Sequence, residues 1–322
     1  MAMTRTEKII LNAVSAILLV AVLYFLGREF SRNWEHIKYF RFQFDVLMLG
    51  AASIVYAGSY VCFAIGWFLI LRYLHCGVPF YETLLYFIIT QPAKYVPGKI
   101  WTGVARMKFC KPHGIPNSLT LLSTGTESIL EIFAGVYVSI IALLQTNAFR
   151  HISWPVVIIL STIGVIVLYP RVFYFLVNLY FRIVKRPPIT QDKRVSFIKL
   201  LTLQIIYIIA VVGIGFSSFL FLQSFAPVSY SYAPLLIGVG ALSYWVGIVA
   251  LFTPNGFGVR EGVWYMGLKT VVAPHIAIVY AFVSRIWLIV AESVLLFIAL
   301  PLLWALRRKQ KHSSVDNVIS GV

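Results

Sequence analysis

The sequence predicts an all-α polytopic membrane protein with about six full transmembrane helices plus two re-entrant helical hairpins, arranged as an inverted repeat. Three observations carry this. Of 322 residues, 60% are hydrophobic and 12% charged, with a mean hydropathy of +0.87, which leaves too little polar surface to cover the core of a soluble domain. Apolar runs of about twenty residues, the length that crosses a bilayer, recur from end to end, without the short alternating segments of a β-barrel. Two further apolar regions are split by proline and glycine at matching positions.

Taken in order, the runs 9–26, 46–71, 117–145, 153–181, 199–222 and 276–303 are the expected spans. The first follows Arg5 and Lys8 but is long and lacks a small-x-small cleavage site, so it reads as a retained helix and not a signal peptide. Region 82–111 has only the half-length run "ETLLYFIIT" before Pro92, and a second short run after Pro97 and Gly98. Region 234–272 holds "PLLIGVGALSYWVGIVALF", broken at "TPNGFGVREG", Thr253 to Gly262. Proline and glycine free backbone polar groups that survive at membrane depth only against protein or a wet cavity. Pro97, Gly98, Pro254, Gly256 and Gly258 are therefore expected hairpin breaks, although the first arm of the second region is long enough to span.

The net charge of +16 comes from 27 Lys+Arg against 11 Asp+Glu. Much of it lies at helix ends, where positive-inside topology and anionic headgroups explain it better than nucleic acid. The 182–199 loop, with six basic residues against Asp192, and the polar tail 305–322 are expected in the cytoplasm; the uncharged 223–233 loop is expected outside. Both termini are then cytoplasmic, in a multi-pass plasma (inner) membrane protein. The mixed-charge loop 27–45 dissents, since this topology puts it outside. Three cysteines with no CxxC spacing indicate neither a disulfide framework nor a metal site, and no cofactor is expected.

Pro97 and Pro254 are 157 residues apart, and Pro116 and Pro274 are 158 apart. Each half, 46–145 and 199–303, reads span, broken hairpin, span, within a single membrane domain covering 1–322. The charge-derived topology runs the two halves in opposite senses, the inverted-repeat plan of secondary transporters.

Ionisable residues inside spans mark candidate sites. Glu127 and Glu131 lie one helical turn apart, and Arg285 and Glu292 share a face of the last span. Glu127 and Arg285 each fall eleven residues beyond their proline, so a Glu127–Arg285 pair across the two-fold is the simplest expectation. The hairpins add Lys94, Lys99, Arg106, Arg260 and Glu261. Cations and free helix N-termini suit an anionic phosphate headgroup. Lys94, Lys99, Arg106, Arg260, Glu261 and Arg285 are thus the candidate binding set, and Glu127, Glu131 and Glu292 the candidate coupling or ion-pair residues.

"AKYVPGKIW" followed by Arg106, and "PNGFGVREGV", resemble the paired signatures of the lysylphosphatidylglycerol synthase transmembrane family, over roughly 40–305. That family includes the flippase-like membrane domain of the multiple peptide resistance factor, and stand-alone members associated with glycosyltransferases. The resemblance implies movement of an anionic or aminoacylated phospholipid, or a polyprenyl-linked saccharide, between leaflets. Asn255 and Phe257 depart from the small or aliphatic residues of many relatives, which bears on headgroup identity. Too few residues follow Pro301 for the resistance factor's transferase domain, so that activity is not expected.

Two other functions compete. Lys99 and Arg106 have the K-x6-R spacing that opens a membrane phosphatase signature, with Ser284-Arg285 like its last part. Met107 replaces the expected proline, however, and no suitably spaced histidine supplies a nucleophile or acid, so no enzyme is expected. A non-transporting partner of a glycosyltransferase or lipid-modifying enzyme is the alternative, with the basic 182–199 loop as its docking surface.

Overall fold

The computed structural model describes residues 43–95, 101–145, 166–183, 195–250 and 253–320, with 24, 27, 28, 31, 32, 34–38 and 162 besides. The expected span 9–26, most of loop 182–199, and Pro97, Gly98 and Lys99 lie outside these residues. Helices make up the described chain, in the order α1 Trp34–Lys38, α2 Val46–Tyr73, α3 Phe80–Thr90, α4 Trp101–Cys110, α5 Asn117–Gln145, α6 Pro170–Ile183, α7 Phe197–Gln223, α8 Ala233–Val249, α9 Val259–Leu268 and α10 Pro274–Ser320. No strand occurs among the described residues.

Four stretches among these residues are long and apolar enough to cross a membrane: Val46–Tyr73, Phe197–Gln223, Tyr230–Val249 and Pro274–Arg308. The third comprises α8 and the 3-10 turn before it. The first arm of the second broken region, expected as half of a hairpin, thus has crossing length. α5 begins and ends where the third apolar run does, and α6 covers the last part of run 153–181.

Local chemistry sets the helix ends. Asp45 caps α2, its Oδ1 accepting from the N–H groups of Leu47 at 2.8 Å and Met48 at 3.2 Å. α3 gives way at Gln91 to a 3-10 turn, Gln91–Tyr95, where Pro92 removes a helical donor. Gly114, at φ +69, closes the turn Lys111–His113, and Pro116 precedes α5. At the second break, Pro254–Gly256 forms a 3-10 turn in which Asn255 has φ +47 and Gly256 +70. Gly258, at φ +84, then starts α9, and its N–H donates to Glu261 Oε2 at 2.6 Å. Asparagine and glycine are the residues that tolerate this left-handed backbone.

Helices in lipid gain little from apolar burial against one another and depend on close packing through small residues. α2 and α7 form the most extensive packed pair. They run antiparallel, since Asp45 N–H at the start of α2 donates to Ser224 O beyond the end of α7 at 2.7 Å. A Cβ on Gly66 would stand 2.7 Å from the Tyr207 ring, and one on Gly213 would stand 2.3 Å from Ser59 Oγ. Each helix therefore offers a glycine to a side chain of the other.

Around this pair α3 packs on α2 and α10, while α8 packs on α7 and α5. The short helix α4 lies on α5, and the short helix α9 on α10. The two 3-10 turns, Gln91–Tyr95 and Pro254–Gly256, touch each other. This meeting of the breaks positions the site.

Candidate functional site

A cavity of about 150 Å³ opens where the broken segments converge. Six of the charged residues singled out in the sequence line it: Lys94, Arg106, Glu127, Glu131, Arg260 and Glu292. Tyr60, Tyr244, Thr102, Thr124 and Ser128 add hydroxyls, and Phe63 and Phe87 add apolar wall.

Arg106 reaches the cavity because α4 buries Gly103, Arg106 and Cys110 on one face. Gly103 lets that face approach α5, where a Cβ would stand 3.2 Å from Leu121. One turn on, the Arg106 guanidinium meets Glu127 through two parallel contacts, Nη1 to Oε2 and Nη2 to Oε1. It also lies 4.1 Å from the Trp67 ring and 5.0 Å from Phe87, with the Trp67 indole N–H held by Ser123 Oγ at 3.1 Å. Arg106 is 1% exposed and Glu127 3%. Bidentate pairing and stacking occupy the Nη edge and the face of this arginine, while its buried Nε has no partner among the described residues.

Lys94 is equally committed. Glu292 Oε1 accepts from Lys94 Nζ at 2.7 Å, Tyr56 Oη at 2.6 Å and Tyr60 Oη at 2.7 Å; Oε2 accepts from Tyr95 Oη at 3.0 Å. Four donors around one carboxylate join α2, the first 3-10 turn and α10. A buried charge persists when it is paired and its lone pairs are filled in this way.

Arg260 differs. Its side-chain stem runs between two glycines: a Cβ on Gly247 would stand 2.6 Å from Arg260 Cγ, and one on Gly256 2.9 Å from it. The guanidinium lies 5.5 Å from the Tyr244 ring. Among the described residues no carboxylate is within ion-pair distance of it. Glu131 is likewise without a cation at that distance, and it lines the cavity together with the Tyr244 phenol.

The expected Glu127–Arg285 pair does not form. Glu127 pairs with Arg106, while Arg285 Nε lies 3.7 Å from Glu261 Oε1 and its Nη2 donates to Asn255 O at 3.3 Å. Neither Glu261 nor Arg285 lines the cavity among the described residues: Glu261 caps its own helix and Arg285 pins the Asn255 turn. Each short helix folds back on the long helix that follows it, so its charge meets that helix before the other half. Pro254, Gly256 and Gly258 belong to the turn that carries Arg260 into place. Of the two tryptophans beyond the breaks, Trp101 is exposed and Trp264 packs on Tyr280; neither lines the cavity.

Sequence reasoning passed over Tyr56, Tyr60, Tyr95, Tyr244 and Gly247. Tyr56 and Tyr60 did leave a signal, two phenols four residues apart on one face of an apolar span. Among the described residues no cluster of three His, Cys, Asp or Glu could hold a metal.

No curated protein matches the chain in sequence. Residues 9–295 match the family described as lysylphosphatidylglycerol synthase TM region, the family the two break motifs resemble. Its members are membrane proteins related to lipid modification or transport. A long-helix membrane domain with paired charges and a polar cavity at its two breaks is thus the frame of this chain, and the chain belongs to the lysylphosphatidylglycerol synthase transmembrane family.

Proposed function

We propose that the protein moves a phosphate-bearing lipid between leaflets, with Arg260 as the headgroup cation. The observation that carries this reading is the division of charge in the cavity. Lys94 and Arg106 already end on carboxylates, whereas among the described residues the Arg260 guanidinium meets no carboxylate and is open to a ligand. An unpaired guanidinium beside hydroxyls in a largely enclosed site suits two phosphate oxygens. The ligand is an anionic or aminoacylated phospholipid or a polyprenyl-linked lipid, and the protein acts on it without chemical conversion.

The packing supports an inverted repeat. Exchanging α2 with α7, α3 with α8, α4 with α9 and α5 with α10 turns each packed pair among these eight helices into a packed pair: α3–α10 becomes α8–α5, and α4–α5 becomes α9–α10. The antiparallel α2–α7 seam and the two touching 3-10 turns lie on the exchange axis. Rocking of such halves about a site at their junction is the alternating-access motion of secondary transporters. Both termini then face the cytoplasm of a cell whose plasma membrane holds the protein.

Lipid translocation in proteoliposomes tests this, using fluorescent anionic, zwitterionic and polyprenyl-linked lipids. Wild type is expected to move an anionic lipid, and a folded Arg260→Gln variant to lose that activity. Failure of wild type across the whole panel would favour a non-transporting partner of a glycosyltransferase or lipid-modifying enzyme.

A further inference from the structure

We infer that Glu131 takes up a proton when the headgroup phosphate binds, so that the lipid and one proton occupy the cavity together. This rests on the reading of Arg260 as the headgroup cation, and it goes beyond it by naming what balances the charge.

Among the described residues the cavity is lined by three cationic side chains, Lys94, Arg106 and Arg260, and three carboxylates, Glu127, Glu131 and Glu292. With all six ionised it is neutral. A phosphodiester brings a single negative charge that it keeps at neutral pH. Placing that charge on Arg260 leaves the cavity with one uncompensated negative charge at low dielectric, which is strongly unfavourable. One proton restores neutrality, and the geometry selects the carboxylate that takes it.

Glu127 is held by both Nη atoms of Arg106. Glu292 is held by Lys94 and three phenols. Protonating either would break a charge-assisted pair and leave a buried cation alone. Glu131 has neither restraint. The groups that face it are Glu127 on its own helix α5, Arg106 from α4, Lys94 from the first 3-10 turn, Tyr207 from α7 and Tyr244 from α8. Arg260 of α9 and Glu292 of α10 share its cavity. Arg106 and Lys94 are bound to other carboxylates, and Glu127 stands one turn away with the same charge. As the protonated acid, Glu131 donates a hydrogen bond into the cavity, where the incoming phosphate oxygens accept.

Isothermal titration calorimetry in detergent, repeated in buffers of different ionisation enthalpy, counts the protons. The probe is dioctanoyl phosphatidylglycerol, titrated across the neutral to alkaline range. Wild type is expected to take up about one proton per lipid wherever free Glu131 is ionised, with affinity falling about tenfold per pH unit there. Glu131→Gln is expected to bind without proton uptake. The wild-type measurement decides by itself if that variant fails to fold. Tyr244→Phe, which keeps the carboxylate and removes a hydroxyl from the cavity it lines, is expected to move the pH of greatest uptake. Binding without uptake at every pH, or uptake that persists in Glu131→Gln, overturns the proton role and leaves the Arg260 reading standing. Absence of binding by wild type overturns both.

Discussion

In the first broken segment Arg106 and Lys94 both end on carboxylates, whereas in the second Glu261 stands 3.7 Å from Arg285 of α10 and Arg260 meets no carboxylate among the described residues. The two segments otherwise share a plan: a short helix after a break, folded back on the long helix that follows it. What separates them is the sign of the charge on that long helix. Glu127 and Arg285 lie at the same distance beyond Pro116 and Pro274, but one is acidic and the other basic. In the first half the long helix supplies the carboxylate and takes up the short helix's arginine. In the second half it supplies the arginine and takes up the short helix's carboxylate, Glu261, so Arg260 next to it is left to face the cavity. Reversal of one ion pair converts a structural strut into a candidate binding site.

The largest expected effect of breaking this contrast is in the first half. Arg106→Ala leaves Glu127 charged and alone, and is expected to cost about 3–5 kcal/mol of stability. Replacing both partners, as in Arg106→Gln with Glu127→Gln, is expected to cost much less; thermal unfolding in detergent reads both. The seam between the halves should respond symmetrically. Gly66→Leu and Gly213→Leu each drive a side chain into the opposite helix, and are expected to lose about 1–3 kcal/mol apiece. A loss confined to one of them would argue against the exchange of α2 with α7. Arg285→Gln should fall below these, at about 1–2 kcal/mol, since Glu261 keeps its bond from Gly258 N–H. Arg260→Gln keeps most of the stem that runs between Gly247 and Gly256, and the same unfolding assay is expected to place it within about 0.5 kcal/mol of wild type.

Much of the fold was legible in the chain. The apolar runs at 46–71, 117–145 and 199–222 became helices with nearly those bounds, because length and composition alone decide a helix in lipid. The breaks at Pro92 and at Pro254 to Gly258 were legible because proline and glycine act on the backbone locally, whatever surrounds them. The charged residues of the cavity were legible as an unordered set. Their pairing was not, since it depends on which helix a short segment folds against, and twenty-one residues separate Arg106 from Glu127. A symmetry argument brought Glu127 to Arg285 across the halves, when the short turn at Lys111–His113 had already laid Arg106 beside Glu127. The tyrosines around Glu292 went unread for a different reason: the spacing of Tyr56 and Tyr60 marks one helix face, but nothing in the sequence says that this face meets Glu292 of α10. Gly247 was hidden because its role, admitting the stem of Arg260, exists only once α8 and α9 are packed together.

The most direct test of the account sets the two arginines against each other in one assay. Binding of dioctanoyl phosphatidylglycerol is measured for Arg260→Gln and for the neutral double variant Arg106→Gln with Glu127→Gln, both folded. The double variant is expected still to bind the lipid, and Arg260→Gln is expected not to. Retained binding in Arg260→Gln, with loss in the double variant, would contradict it and move the headgroup site to the first broken segment.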